Sequence, residues 1–103
     1  MTKWVKVCKT NELNNGKLLS FDYDDKKIML VKMQGKIFAT DRTCTHEEAD
    51  LSTGILSEQG VTCPLHFSVF NLENGNPENL PAEKPLETFN IKTNENEIYV
   101  EVP

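Results

Sequence analysis

With 103 residues, 38 % of them apolar and 26 % charged, the chain has the size and composition of one ordinary soluble domain. Its formal net charge of −5, sixteen acidic against eleven basic side chains, leaves no basic stripe for a nucleic-acid backbone; it either suits a partner with a positive docking face or simply keeps the chain soluble. No stretch approaches the roughly 20 apolar residues of a membrane span, and the opening "MTKWVKVCKT" has no apolar signal core, so a cytoplasmic monomer is expected.

In chain order, "WVKVCK" (4–9) alternates apolar and polar with period two and reads as a strand, with Cys8 a lone strand thiol. A helical turn is expected at Thr10–Leu13, with Thr10 as its cap. "KLLSFDY" (17–23) follows the turn signal Asn15-Gly16 and alternates again. "KKIMLVKM" (26–33) and "KIFAT" (36–40) flank Gln34-Gly35, which predicts a tight hairpin. From 41 to 83 the chain is rich in Pro, Gly, Asn and Glu, and only "VTC" (61–63) and "SVFNL" (68–72) suggest strand. "LETFNIKT" (86–93) and "EIYVEV" (97–102) then flank the turn Asn94-Glu95-Asn96 and predict a second hairpin. Many short strands with turn chemistry between them indicate an all-β fold, an antiparallel sandwich or small barrel. Residues 41–83 would form a small inserted subdomain of loops, and a long irregular segment in a compact domain is usually functional.

That segment holds both histidines and two of the three cysteines, as Cys44-Thr-His46, sixteen residues, then Cys63-Pro-Leu-His66. Each arm places a thiol before an imidazole. A structural zinc held by two thiolates and two imidazoles is one reading, although zinc sites usually take like ligands in pairs. A two-iron, two-sulfide cluster is the other, with both cysteines on one iron and both histidines on the second. Two equivalent loops running past such a cluster would need Cys before His in each arm. The sequence has that order, and spacing alone leaves both metals open. A domain this small, which buries only about two-thirds of its unfolded surface, would gain stability from either.

The run C-T-H, sixteen residues, C-P-L-H, followed by Ser68, Phe70 and a turn at Gly75, resembles the Rieske iron–sulfur domain. The likeness is greatest to soluble Rieske-type ferredoxins that serve multicomponent oxygenases. Ala49, Leu51, Ser52, Gly54 and Leu56 fit the family's segment between the arms, and the strand order fits on both sides. The resemblance implies a [2Fe–2S] cluster with Cys44 and Cys63 on one iron, and with His46 and His66 on the other through Nδ1. It implies imidazoles at the tip of the molecule and a cluster-binding subdomain on an antiparallel β scaffold. It also implies an electron carrier rather than an enzyme, passing single electrons from a reductase to a terminal oxygenase or similar acceptor. The small subunit of a larger oxidoreductase of the nitrite-reductase kind is the alternative, but such subunits often lack the ligands that are all present here.

The departures carry information as well. High-potential relatives have an additional cysteine in each loop and a Tyr after the second arm, where this chain has Glu48, Leu65 and Phe70. No loop disulfide and no tyrosine hydroxyl can then support the cluster, so a potential below about 0 mV is expected within the family range. Ser68 keeps a hydroxyl that either donates to cluster sulfur or bonds only to backbone. Phe67 stands where relatives have Gly, which requires either ordinary backbone geometry or strain there. Pro64 stiffens the second loop, Leu65 points towards the exposed tip, and Glu47 and Glu48 are expected on an acidic rim or simply in solvent. An exposed, iron-bound imidazole further implies reduction that depends on pH in the alkaline range.

Overall fold

A computed structural model describes residues 2–45, 49–58, 60–65, 67–79 and 82–103, so His46, Glu47, Glu48 and His66 lie outside the described residues. The regular elements among them are ten strands and two short 3₁₀ turns. The strands are β1 (Lys3–Lys9), β2 (Lys17–Tyr23), β3 (Lys26–Met33), β4 (Lys36–Asp41), β5 (Ile55–Ser57), β6 (Gly60–Thr62), β7 (Val69–Phe70), β8 (Thr88–Phe89), β9 (Ile91–Asn94) and β10 (Glu97–Val102). They pair antiparallel in three sheets, ordered β1-β10-β9, β2-β3-β4-β8 and β5-β6-β7. The first two sheets are the scaffold, and the third lies wholly within the loop-rich segment. No helix among the described residues is long and apolar enough to cross a membrane.

Turn chemistry sets the registers. Met33 pairs with Lys36 across Gln34 and Gly35, whose φ values of 53° and 81° are both left-handed. Asn94 pairs with Glu97 across Glu95 and Asn96, at 52° and 67°. Two consecutive positive φ angles match the right-handed twist of the flanking strands, which is why two-residue loops close both hairpins. The second loop is therefore one residue shorter than the expected Asn94–Asn96 turn, because Asn94 is itself the last paired residue of β9.

Strand β3 organises the core. Ile28, Met29, Leu30 and Val31 are all fully buried, so both faces of this strand are covered. Ile28 and Leu30 face one cluster with Leu13, Ala39, Ile98, Val100 and Val102. Met29 and Val31 face another that contains Cys44, Leu51, Val61, Cys63, Phe70 and Leu86. One central strand thus ties the scaffold's interior to the floor beneath the two cysteine arms.

Three sequence expectations change. The single strand expected over 86–93 is two strands: Phe89 pairs with Ala39 in one sheet, whereas Ile91 pairs with Val100 in another. Asn90 marks the hand-over, its carbonyl accepting the Glu101 N–H at 2.9 Å. Strand β5 was hidden because three residues between turns show no usable periodicity. The turn at Thr10–Glu12 is capped by Lys9 rather than by Thr10: the Lys9 N–H donates to Glu12 Oε1 at 2.7 Å. Cys8 is a half-buried strand thiol, and burial first, then nearby Glu12, pushes its pKa up, away from thiolate reactivity.

The turn after β7 returns to the scaffold at Gly75. Its N–H bonds the Asn71 carbonyl and its carbonyl accepts the Leu86 N–H, both at 2.8 Å. Gly75 has φ of 78°, and a Cβ there would lie 2.2 Å from the Leu86 carbonyl oxygen. Gly75→Ala is therefore expected to cost at least about 2 kcal/mol, from the left-handed backbone and the clash together. Urea unfolding checks this.

Candidate metal centre

The two arms are the same structural unit used twice. Thr43 bridges Asp50 antiparallel, and one step inside that pair the Cys44 N–H bonds the Ala49 carbonyl at 3.0 Å. Thr62 pairs with Val69, and one step inside it the Cys63 N–H bonds the Ser68 carbonyl at 2.8 Å. Each cysteine follows a threonine and opens a loop closed by a bond to the carbonyl five residues on. The loops are equal in length although the histidine stands two positions after Cys44 and three after Cys63.

Both thiols are withdrawn from solvent, Cys44 at 4 % exposure and Cys63 at 0 %, and both belong to the core floored by Leu51, Val61 and Phe70. Gly54 permits the arms to approach each other: a Cβ there would lie 2.1 Å from the Thr62 carbonyl oxygen. The segment leaving the first loop therefore packs directly against the strand that enters the second.

Further groups fix the loops. Asp50, at the base of the first one, caps the 3₁₀ turn that follows it: its Oδ1 accepts from the Ser52 N–H at 2.9 Å and from the Ser52 hydroxyl at 2.6 Å. Burial opposes ionisation of Asp50, yet the two Ser52 bonds, with Arg42 and Lys27, together hold its carboxyl below the usual range. Asn79 grips the second loop, accepting from the Val69 N–H at 2.7 Å and donating Nδ2 to the Phe67 carbonyl at 3.4 Å. Ser68 is fully buried and its Oγ accepts the Ala82 N–H at 3.0 Å, so this hydroxyl does bond backbone. The Thr45 hydroxyl donates to the Lys84 carbonyl at 2.7 Å. Asn79, Ala82 and Lys84, which follow the second arm, thus touch both arms. Sequence reasoning passed over Asn79, Ala82 and Lys84, for which the only signal is a turn-rich composition.

The outer surface beside Cys63 is apolar. Ile55 and Phe67 are each 67 % exposed and Leu65 46 %, and a shallow groove lined by Ile55, Thr62, Cys63, Pro64 and Phe67 runs between them. Phe67 has φ of 63°, so of the two alternatives it is the strained one that holds. Charge surrounds this patch unevenly along the chain. Residues 41–83 contain eight carboxylates, one arginine and no lysine, a formal −7, which leaves +2 on the remainder.

This donor set fits the two-cysteine half of an iron–sulfur centre: two buried sulfurs on equivalent loops over one apolar floor. Among the described residues no three His, Cys, Asp or Glu side chains come together to hold a metal; the expected ligands His46 and His66 lie outside the described residues.

The backbone at Phe67 yields a direct test. A left-handed conformation costs an L-residue about 1–2 kcal/mol, which exceeds the entropy glycine loses on folding. Because the ring is mostly exposed, Phe67→Gly forfeits little burial and is expected to stabilise the protein by about 0.5–1 kcal/mol. A lower thermal midpoint for that variant would contradict the reading.

A family model for the Rieske [2Fe-2S] domain matches residues 3–90. The ferredoxin component of biphenyl 2,3-dioxygenase from Rhodococcus jostii (strain RHA1) is 34 % identical over 98 residues, covering 95 % of this chain and 92 % of that protein. Among solved structures, a chain from the complex of reduced oxygenase and oxidized ferredoxin in carbazole 1,9a-dioxygenase superposes with a TM-score of 0.89 at 32 % identity, over 94 % of this chain and 91 % of that one. The ferredoxin of carbazole 1,9a-dioxygenase from Nocardioides aromaticivorans IC177 superposes with a TM-score of 0.88 at 29 % identity, over 94 % and 95 %. The buried cysteine pair, the all-β frame and these likenesses converge: the chain belongs to the Rieske [2Fe-2S] domain family, whose cofactor is a [2Fe–2S] cluster.

Proposed function

We propose that this protein is a one-electron carrier between a reductase and a terminal oxygenase, with Cys44 and Cys63 on one iron and His46 and His66 on the other. The observation that carries the reading is the repeated loop: two equivalent turns each hold a buried cysteine within one acidic segment. When bound, the [2Fe–2S] cluster accepts and returns one electron. The ferredoxin–oxygenase complex among the similar structures supports an oxygenase as acceptor. The whole chain works as one cytoplasmic domain and a monomer, with residues about 41–83 as its cluster-binding part.

The chain's own groups suit that task. Leu51, Val61 and Phe70 exclude water beneath the cysteines, so little solvent has to reorient when charge changes. Ile55, Leu65 and Phe67 offer apolar contact beside Cys63, while the −7 segment steers a basic partner onto them. A buried phenyl ring at Phe70 supplies no hydroxyl, whereas the Ser68 Oγ, which accepts from the Ala82 N–H, still has its O–H proton to donate. One side-chain hydroxyl, rather than two, is then available to stabilise added negative charge.

Purified holoprotein is expected to be red-brown and, once reduced, to give an EPR signal averaging below the free-electron g value. A colourless, zinc-containing protein would eliminate the proposal. The midpoint potential is expected below about 0 mV, in the lower part of the family range. Electron transfer to a Rieske oxygenase should slow steeply as ionic strength rises, since the Debye length falls from about 30 Å at 0.01 M to about 8 Å at 0.15 M. Stopped-flow kinetics across that range measures it.

A further inference from the structure

Arg42 carries the single positive charge between residues 41 and 83, and it is only 9 % exposed. Its Nη2 meets Asp22 Oδ1 on β2 at 2.6 Å, and its Nη1 donates to the Phe21 carbonyl at 3.5 Å. Its Nε lies 3.7 Å from Asp50 Oδ2, too far for a hydrogen bond, and this buried atom has no other partner among the described residues. The backbone is pinned as well: the Arg42 N–H bonds the Lys27 carbonyl at 2.9 Å, and its carbonyl accepts the Leu51 N–H at 2.7 Å. Arg42 therefore spans from the scaffold to Asp50, which pairs with Thr43 at the base of the first cysteine loop and caps the turn that leaves it.

A buried guanidinium with an unsatisfied Nε is a poor choice for simple bracing, because a well-packed apolar residue of similar volume often does at least as well. The surroundings suggest why a charge is kept. The Asp22 and Asp50 side chains are 62 % and 52 % exposed, whereas that of Arg42 is 10 %. Water screens the two carboxylates strongly and the guanidinium weakly, so the field reaching the interior is more positive than the formal charges imply. Cys44 follows two residues later, within about 7 Å along the backbone. Everything else charged in the segment is acidic and opposes an added electron.

We infer that Arg42 is a tuning and positioning residue for the centre at Cys44, its unscreened charge favouring the reduced, more negative state while its side chain fixes the first loop. The inference rests on the carrier reading above. The test is the reduction potential of the holoprotein carrying R42Q, R42K or D22N, with the visible and EPR spectra as evidence that the cluster is bound. R42Q is expected to lower the equilibrium constant for reduction about three- to tenfold, tenfold being 59 mV for one electron. R42K, which keeps the charge without the planar fork, is expected to recover most of that loss while leaving a lower thermal midpoint. D22N, which removes a screened carboxylate, is expected to raise the constant by up to about threefold. The R42Q difference should persist at 0.5 M salt, because a buried charge is screened little.

An intact EPR signal with an unchanged potential in R42Q would overturn the inference, and so would an R42K potential as low as that of R42Q. Should R42Q fail to hold a cluster, a fall in the constant for D22N would overturn it instead. A wild-type protein that binds no cluster at all refutes the carrier reading, which is a different failure.

Discussion

The site depends on a pair of backbone hydrogen bonds, Cys44 to Ala49 and Cys63 to Ser68. Each spans five residues and sits one step inside a strand pair, so each arm is closed at its base by backbone alone, before any side chain is considered. An isolated two-stranded hairpin is marginal in water. These two hold because they share a floor, lean on each other where Gly54 removes the Cβ, and are tied from outside by Asn79, Ala82 and Lys84. The rest of the molecule serves to keep that pair of turns side by side.

The scaffold contributes through β3, which is buried on both faces, and through the hand-over at Asn90, which joins the two scaffold sheets by one continuous chain. Movement of one sheet relative to the other would disturb Met29 and Val31, which lie directly in the core that contains the cysteines. Stability and site geometry are thus coupled through one strand.

Much of this was legible in the sequence, and the exceptions have physical causes. Strands β2, β3 and β10 were readable to the residue because alternation over six or more positions, or a solid apolar run, leaves little ambiguity. The cysteines and histidines stood out because their order within each arm is chemically restrictive. The equal loop lengths did not, since unequal Cys-to-His spacings disguise two loops of the same size. Residues 86–93 were misread as one strand because periodicity survives a change of sheet, and only pairing partners reveal it. Arg42 was passed over for a related reason: a lone arginine normally belongs to the surface, and its burial is a tertiary fact.

The uneven distribution of charge, −7 on the cysteine-bearing segment and +2 on the remainder, also bears on how copies of this chain meet one another. Two copies approaching with these segments face to face repel each other, more strongly at low ionic strength. That repulsion disfavours encounters that bring two cysteine pairs together. The charge that sets the segment apart from the rest of the chain thus also holds one copy off from the next.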